Sequence, residues 1–254
     1  MGRPFVLLQL SDPHVGASWG GGDPVARLRA AVAAVLALPD PPDAVLLSGD
    51  LSDNADPAEY EAVRAELAPL RAPLLPLPGN HDARALLREA FELGGEGEER
   101  VDYAAELGAL RLVALDSTLP GRVEGGLDAG ALAWLEAELA AAPRLSTVLA
   151  MHHPPLATGI PAWDAINVTA AERVALGEVL ARHPQVLAVL GGHLHSPAAA
   201  TLGCRPVLAA PSTYLPTAPR FGVDEVPTFG AGPGGYVLHV LRDGELASHL
   251  RWVA

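Results

Sequence analysis

Five short segments of this sequence concentrate carboxylate, imidazole and carboxamide side chains. Each follows a run of apolar residues that predicts a buried strand. Oxygen and nitrogen donors of these types are the usual ligands of sites that hold two divalent metal ions, and such sites hydrolyse phosphate esters. The segments are Asp12-Pro13-His14, Gly49-Asp50, Gly79-Asn80-His81-Asp82, His152-His153-Pro154 and Gly191-Gly192-His193-Leu194-His195.

The spacing within the segments indicates what their side chains can do. Asp12 and His14, one residue apart in a turn after a strand, can face the same ion, and the carboxylate of Asp50 can bridge two ions. Taken alone, each of these two segments is better explained by an ordinary turn. The segment with His193 and His195 is more specific, because residues two apart on a strand share a face and both rings can then address one metal pair.

The other candidates are neutral ligands and groups that handle protons. The carboxamide of Asn80 adds a ligand without negative charge. His81 can donate a proton to a leaving oxygen, with Asp82 as a candidate partner that orients its ring. His152 follows its strand directly and is the expected ligand, and the adjacent His153 is expected to support the site from behind the ligands.

The elements that must position these groups alternate between strand-like and helix-like stretches, which predicts an α/β layered domain. In such a domain, functional groups collect at the carboxyl ends of the strands. Helix starts are marked at Asp56-Pro57 and by the capping box Thr169-Ala170-Ala171-Glu172. The apolar runs before the five segments are residues 5–10, 44–48, 74–77, 147–151 and 186–190.

Taken in order, the five segments resemble the signature of the calcineurin-like metallophosphoesterases. Over about residues 5 to 215, the chain is similar to the bacterial group that contains the class III cyclic-nucleotide phosphodiesterases and the glycerophosphodiesterases. The resemblance implies a four-layer α-β-β-α sandwich with two mixed β-sheets. It also implies one domain over residues 1–254, in which the Pro- and Gly-rich segment 211–235 forms a loop or cap.

The resemblance further implies two metal ions, each with three ligands, and one shared carboxylate. The implied sets are Asp12, His14 and His195 for one ion, Asn80, His152 and His193 for the second, and Asp50 between them. His81 then protonates the leaving alkoxide of a small phosphodiester, with 3′,5′-cyclic AMP ranked ahead of glycerophosphodiesters. Oxygen and nitrogen ligands without thiolate fit Mn, Fe or Zn. Trp163, Asn167 and Tyr214 lie beside the motifs and are candidate substrate contacts.

The composition limits the partners and the compartment. The chain of 254 residues has a formal charge of −13 and contains no lysine, which argues against long nucleic acids and anionic membranes as partners. The one cysteine, Cys204, cannot form an internal disulfide, and the apolar run at the N-terminus is too short for a signal peptide or a membrane span. We therefore expect a cytoplasmic protein, either monomeric or a homodimer or larger homo-oligomer.

Four other functions compete with the diesterase. A broad-specificity phosphoesterase would use the same ligands, and a phosphoprotein phosphatase or nuclease is disfavoured by the small size and acidic charge of the chain. A non-catalytic scaffold that kept the fold would show gaps in the ligand set, and the sequence shows none.

Overall fold

The computed structural model describes residues 2–223 and 228–253. Two large β-sheets lie face to face and helices cover their outer faces, so the expected α-β-β-α sandwich is confirmed. The helices are α1 (Pro24–Leu36), α2 (Pro57–Leu67), α3 (Arg84–Phe91), α4 (Ala129–Ala141), α5 (Pro161–Ala165) and α6 (Ala170–Arg182). The strands are β1 (Phe5–Leu10), β2 (Ala44–Ser48), β3 (Leu74–Leu77), β4 (Tyr103–Leu107), β5 (Leu110–Ala114), β6 (Thr147–Ala150), β7 (Val186–Gly191), β8 (Ala198–Leu202), β9 (Arg205–Ala209), β10 (Thr217–Ala218), β11 (Thr228–Phe229), β12 (Gly235–Arg242) and β13 (Glu245–Trp252).

Both large sheets combine a run of parallel strands with antiparallel strands. The first has the order β13-β12-β1-β2-β3, with β1, β2 and β3 parallel. The second has the order β4-β5-β6-β7-β9-β8, with β5, β6, β7 and β9 parallel. Because parallel strands end at the same edge of a sheet, the loops that follow them are brought side by side.

Three apolar layers hold the sandwich together. Between the sheets, Leu7 and Leu46 of the first belong to the same buried cluster as Leu112 and Leu190 of the second. The outer face of the first sheet packs on α1, α2 and α3, and that of the second packs on α4 and α6. The central strands are therefore covered on both faces, which explains why they read as continuous apolar runs rather than alternating ones.

The helix starts follow the local capping chemistry. The carboxylate of Asp56 accepts a hydrogen bond from the backbone of the first turn of α2, and the capping box between Thr169 and Glu172 is formed at α6. The short helix α5 and the strand pair β10–β11 carry no pattern that the sequence analysis detected. Within the described residues, no helix combines the length and apolarity needed to cross a bilayer.

Candidate active site

Loops at the carboxyl ends of parallel strands from both sheets bring the seven candidate ligands together. All of them are buried except Asn80, which is partly exposed. The first sheet contributes Asp12, His14, Asp50 and Asn80, and the second contributes His152, His193 and His195.

Asp50 lies between two groups of donor atoms. In one group, ligand atoms of Asp12, His14, Asp50 and His195 all lie within 4.8 Å of one another. Oδ2 of Asp50 is 3.4 Å from Nε2 of His14 in that group and 3.4 Å from Nε2 of His152 in the other. A single carboxylate oxygen therefore faces both groups, which is the geometry of a ligand shared by two cations.

With both rings neutral, the first group leaves two acceptor nitrogens facing each other. Nδ1 of His14 donates to the carboxylate of Asp53 at 2.8 Å, and Nδ1 of His195 donates to the carbonyl oxygen of Leu215 at 2.9 Å. The Nε2 atoms of His14 and His195 then face each other at 3.0 Å. Two nitrogen lone pairs at this distance require a proton or a cation between them.

The second group presents its lone pairs in the same manner. Nδ1 of His152 donates to the carbonyl oxygen of Ser48 at 2.8 Å, which leaves Nε2 to face Oδ1 of Asn80 at 3.3 Å. In His193 the pattern is reversed, because Nε2 donates to the carbonyl oxygen of Ile166 at 3.0 Å and Nδ1 is the free acceptor. Backbone acceptors thus select the ring nitrogen that each histidine offers to an ion.

The backbone conformation of His193 and His195 differs from the strand that their spacing predicts. His193 and His195 do not lie on a strand, because β7 ends at Gly191 and both residues have positive φ, 67° and 56°. Their rings turn to different donor groups rather than sharing a strand face. Left-handed backbone costs roughly 1–3 kcal/mol for such residues and is concentrated at functional sites. Asp12, His14 and Asp50 share this conformation, with φ of 50°, 44° and 51°.

The glycine beside His193 is required by close approach of the two sheets. A Cβ atom on Gly192 would lie 2.1 Å from Oγ of Ser11 and 2.7 Å from Oδ2 of Asp12. Any other residue at this position would displace the carboxylate of Asp12.

The pKa values of the site show that positive charge is favoured beside Asp50. Burial raises the pKa of Asp12 to about 6. Burial alone would lower the pKa of His152, but the charge of Asp50 raises it to about 9. In His195, by contrast, burial and the neighbouring His14 lower the pKa to about 3. Protons therefore collect on the rings next to Asp50, and cations that bind there must displace them.

A site for two divalent ions requires free lone pairs from oxygen and nitrogen donors and a ligand that both ions share. The facing lone pairs, the shared carboxylate and the mixture of imidazole, carboxylate and carboxamide donors all match that requirement. The predicted ligand residues therefore form a donor set that fits a pair of cations.

His81 lies beside this centre, but its partner differs from the one expected. Its Nδ1 lies 3.0 Å from the carbonyl oxygen of Asp53 and 3.5 Å from the Asp53 carboxylate. The expected partner, Asp82, instead accepts hydrogen bonds from the backbone N–H groups of Leu51, Ser52 and Gly79. Asp82 thus holds together the two loops that carry Asp50 and Asn80, and Asp53 orients His81.

Asp53 is the residue that sequence reasoning missed. Its carboxylate also accepts from Nδ1 of His14 at 2.8 Å and from Nε1 of Trp19 at 3.1 Å. It thereby fixes one candidate ligand and one wall of the site together. A second carboxylate three residues after Asp50 in the same loop was the available signal.

His153 supports the site without offering it a free nitrogen. Nε2 faces the carbonyl oxygen of Val123 at 3.1 Å, so it carries the proton, and Nδ1 accepts from Oγ of Ser117 at 2.9 Å. Burial lowers the pKa of His153 to about 3, so the ring is neutral. Its ring packs 4.5 Å from that of His193, centroid to centroid. His153 therefore lies beside the candidate ligand His193 with both of its ring nitrogens occupied.

A cavity of about 350 Å³ opens above the donor groups. His81 lies at its polar floor, and its walls are the apolar side chains of Trp19, Val123, Trp163, Ile166 and Phe229. Phe229 belongs to the segment 211–235, and it packs against Trp19 with ring centroids 4.4 Å apart. The cavity is therefore a mostly apolar pocket over a polar base, which suits a small anionic ester with an apolar part.

Of the three candidate substrate contacts, the structure places Trp163 in this cavity and the other two behind it. The side chain of Asn167 bonds locally, accepting from the N–H of Val168 at 2.8 Å. The buried hydroxyl of Tyr214 donates to the carbonyl oxygen of Trp19 at 2.6 Å, so Tyr214 supports a wall of the cavity rather than forming it. The cavity residues Trp19, Val123, Ile166 and Phe229 carry no sequence signal that distinguishes them from packing residues.

Comparison with known proteins places the chain among phosphoesterases, which agrees with the donor set of the site. The family model for calcineurin-like phosphoesterases matches residues 5–197. A cAMP/cGMP dual specificity phosphodiesterase from Mycobacterium tuberculosis is 36% identical over 220 residues, covering 83% of this chain and 68% of the relative. The 3′,5′-cyclic adenosine monophosphate phosphodiesterase CpdA from Pseudomonas aeruginosa is 32% identical and covers 95% of this chain and 87% of the relative.

Two further proteins extend the comparison. The glycerophosphodiester phosphodiesterase GpdQ from Enterobacter lignolyticus is 33% identical over 207 residues, which cover 76% of this chain and 71% of the relative. A dimetal phosphatase from Danio rerio shares the fold, with a TM-score of 0.70 at 16% identity over 100% of both chains. The chain therefore belongs to the calcineurin-like phosphoesterase family, as the order of its motifs predicts.

Proposed function

We propose that this protein is a phosphodiesterase that uses two divalent metal ions and hydrolyses 3′,5′-cyclic AMP. The observation that carries the proposal is the position of Asp50, whose Oδ2 faces one histidine nitrogen of each donor group at 3.4 Å. The named activities of the relatives that cover most of this chain support the choice of a cyclic nucleotide.

The residues present would hold the two ions in the sets that the family resemblance implies. Asp12, His14 and His195 would hold one, Asn80, His152 and His193 the other, and Asp50 would bridge them. When bound, the ions supply Lewis acidity toward the phosphoryl oxygens and generate a nucleophile from water near neutral pH. The absence of thiolate among the donors supports Mn, Fe or Zn.

His81 is the group proposed to protonate the leaving oxygen. A carbonyl oxygen can only accept a hydrogen bond, so the contact with the carbonyl of Asp53 places a proton on Nδ1. Nε2 is then the nitrogen that exchanges a proton with the substrate. Because His81 lines the cavity and its side chain is 36% exposed, it can reach a bound ester.

A substrate panel tests the proposal. Protein loaded with Mn²⁺ is expected to hydrolyse cyclic AMP faster than cyclic GMP, glycerophosphocholine or the monoester p-nitrophenyl phosphate. Activity on the monoester alone would contradict a diesterase, and preference for glycerophosphocholine would favour the alternative that the similarity to GpdQ supports. A non-catalytic scaffold would bind neither metal nor substrate, and the complete donor set argues against it.

The apolar wall of the cavity provides the proposed contact for the base. Phe229→Ala is expected to raise the KM for cyclic AMP by roughly tenfold, because stacking of a base on an aromatic ring contributes about 1–3 kcal/mol. Steady-state kinetics with cyclic AMP and with glycerophosphocholine, which lacks a base, measure the effect. The KM for the second substrate should change little.

Phe221 offers a matched control for this change. It lies in the same segment, is 69% exposed and does not line the cavity. Phe221→Ala should leave the KM for cyclic AMP unchanged. An equal rise in KM for both substrates in Phe229→Ala would assign Phe229 to cavity shape and not to the base.

We further propose a reducing, cytoplasmic location. The free and exposed thiol of Cys204 supports it. Self-association, which the sequence leaves open, is measured by light scattering of the purified protein.

A further inference from the structure

A chain of hydrogen-bonded polar side chains links the edge strand β13 to the candidate ligand Asp12. It passes through the otherwise apolar layer between the two sheets, where His239 shares a strand face with Leu241 and Gln9 shares one with Leu7. Ser248 is exposed at one end, and the members between it and the ligand are fully buried. From the surface inward the members are Ser248, His239, Gln9, Ser48, Ser11 and Asp12.

Neighbouring side chains in this series lie within hydrogen-bond distance of each other. Oγ of Ser248 lies 2.7 Å from Nδ1 of His239, and Nε2 of His239 lies 2.9 Å from Oε1 of Gln9. The amide nitrogen of Gln9 lies 2.9 Å from Oγ of Ser48. Ser48 then lies 2.7 Å from Oγ of Ser11.

The last link reaches the carboxylate. Oγ of Ser11 lies 2.5 Å from Oδ2 of Asp12, and a carboxylate can only accept, so Ser11 is the donor. The other oxygen of Asp12, Oδ1, accepts from the backbone of His193 at 2.9 Å and lies 3.7 Å from Nε2 of His195. The chain of hydrogen bonds therefore holds Oδ2 of Asp12, while Oδ1 faces the donor group that contains His195.

All donors in the chain point the same way. The amide nitrogen of Gln9 also donates to the carbonyl oxygen of Gly191 at 2.9 Å, which fixes the orientation of the amide and leaves Oε1 to accept from His239. Burial lowers the pKa of His239 to about 3, so its ring is neutral and Nδ1 must accept from Ser248. Hydrogen bonds aligned head to tail polarise one another, and the polarisation here ends on Asp12.

Stability alone does not account for these groups. Their neighbours in the layer are leucine, valine and alanine, and replacing a buried polar pair by apolar groups of similar shape is often nearly neutral for stability. The feature that distinguishes this chain of hydrogen bonds is that it ends on the candidate ligand Asp12. We propose that His239 is a positioning residue that acts through Gln9, Ser48 and Ser11 to orient Asp12 for metal binding. The inference rests on the proposed function, because that function assigns Asp12 to the metal centre.

The dissociation constant of Mn²⁺ tests the inference without measuring activity. Competition with a chelator on the full-length protein gives this constant. His239→Leu removes the donor to Gln9 and is expected to weaken Mn²⁺ binding by about tenfold, since loss of partners behind a ligand weakens binding by roughly 10- to 100-fold. His239→Gln keeps a donor close to the position of Nε2 and is expected to restore most of the affinity.

Leu241→Ala is the matched control for a general loss of packing. Leu241 is buried on the same face of β12, two residues from His239, and its side chain cannot form a hydrogen bond. This variant should lower the melting temperature while leaving the Mn²⁺ affinity at the wild-type value. If His239→Leu does not fold, Ser48→Ala interrupts the same chain on another strand and should weaken binding by a similar factor.

A double-mutant cycle shows whether the effect passes through the chain. Ser11→Ala removes the link to Asp12, so adding His239→Leu to it should weaken Mn²⁺ binding no further. An unchanged Mn²⁺ affinity in His239→Leu would overturn this inference but not the proposed function. A full tenfold effect of His239→Leu in the Ser11→Ala background would do the same. A wild-type protein that binds no Mn²⁺, Fe²⁺ or Zn²⁺ would overturn the proposed function as well.

Discussion

Asp50→Asn is expected to lower kcat by more than about 100-fold and to leave at most one metal ion bound. Loss of a residue that only hydrogen-bonds to a metal ligand typically lowers activity by about 10- to 100-fold, and loss of a shared ligand should have a larger effect. The carboxylate faces a nitrogen of each donor group at 3.4 Å, and an amide in its place carries no charge and only one acceptor atom. A charge pair at 4 Å contributes about 4 kcal/mol at an effective dielectric constant of about 20, compared with roughly 1 kcal/mol for a neutral hydrogen bond. Loss of charge therefore dominates the effect.

Metal content by elemental analysis and kcat on bis(p-nitrophenyl) phosphate measure the two parts of this result. Asp128→Asn is the matched control, because it makes the same chemical change at an exposed helix cap where asparagine serves as well as aspartate. It should retain two ions and the wild-type kcat. An Asp50→Asn protein with two tightly bound ions and normal turnover would disprove the shared ligand.

His81→Asn is expected to lower kcat for cyclic AMP by about 10²- to 10⁴-fold, the usual contribution of a general acid. Metal content should stay at two ions, because His81 belongs to neither of the two donor groups that Asp50 joins. The expectation follows from its place on the cavity floor and from the contact that leaves Nε2 to serve the substrate. Kinetics with cyclic AMP and elemental analysis of the same preparation provide the measurement.

The choice of leaving group separates proton donation from binding. The alkoxide released from cyclic AMP is a strong base and needs a proton, whereas p-nitrophenolate is a weak base and needs little help. The loss in His81→Asn should therefore be far smaller with bis(p-nitrophenyl) phosphate. Equal losses with both substrates would contradict the role as acid. His249→Asn, which changes an exposed histidine of β13, serves as the control and should leave both rates unchanged.

The local sequence is sufficient to predict most of the secondary structure. The bounds expected for β1, β2 and β3 are those observed, because strands buried on both faces are nearly continuous runs of apolar residues. The capping residue Asp56 and the box at Thr169 marked their helix starts for an equally local reason, since the first N–H groups of a helix need acceptors. The β10–β11 pair was not predicted, because strands of two residues show no periodicity in the sequence.

The spacing of the motifs identifies the candidate ligands, but only the family resemblance, and not the spacing, implies their grouping. His193 and His195 are separated by one residue, yet left-handed turns direct them to different donor groups. Asp53 orients His81 in place of the adjacent Asp82, because the backbone amides of two loops occupy the Asp82 carboxylate. Spacing along the chain predicts which residues reach a site, and turn geometry decides which atoms meet there.

The sequence by itself thus determined the family, the layered fold and the set of candidate donor residues, all of which depend on short segments. The tertiary structure alone decided which ring nitrogens are free, which side chains form the cavity, and that Gln9 joins His239 to the site. These features depend on contacts such as that of Gln9 with His239, which are 230 positions apart in the chain. Strand order and register bring such residues together, and no local pattern encodes either.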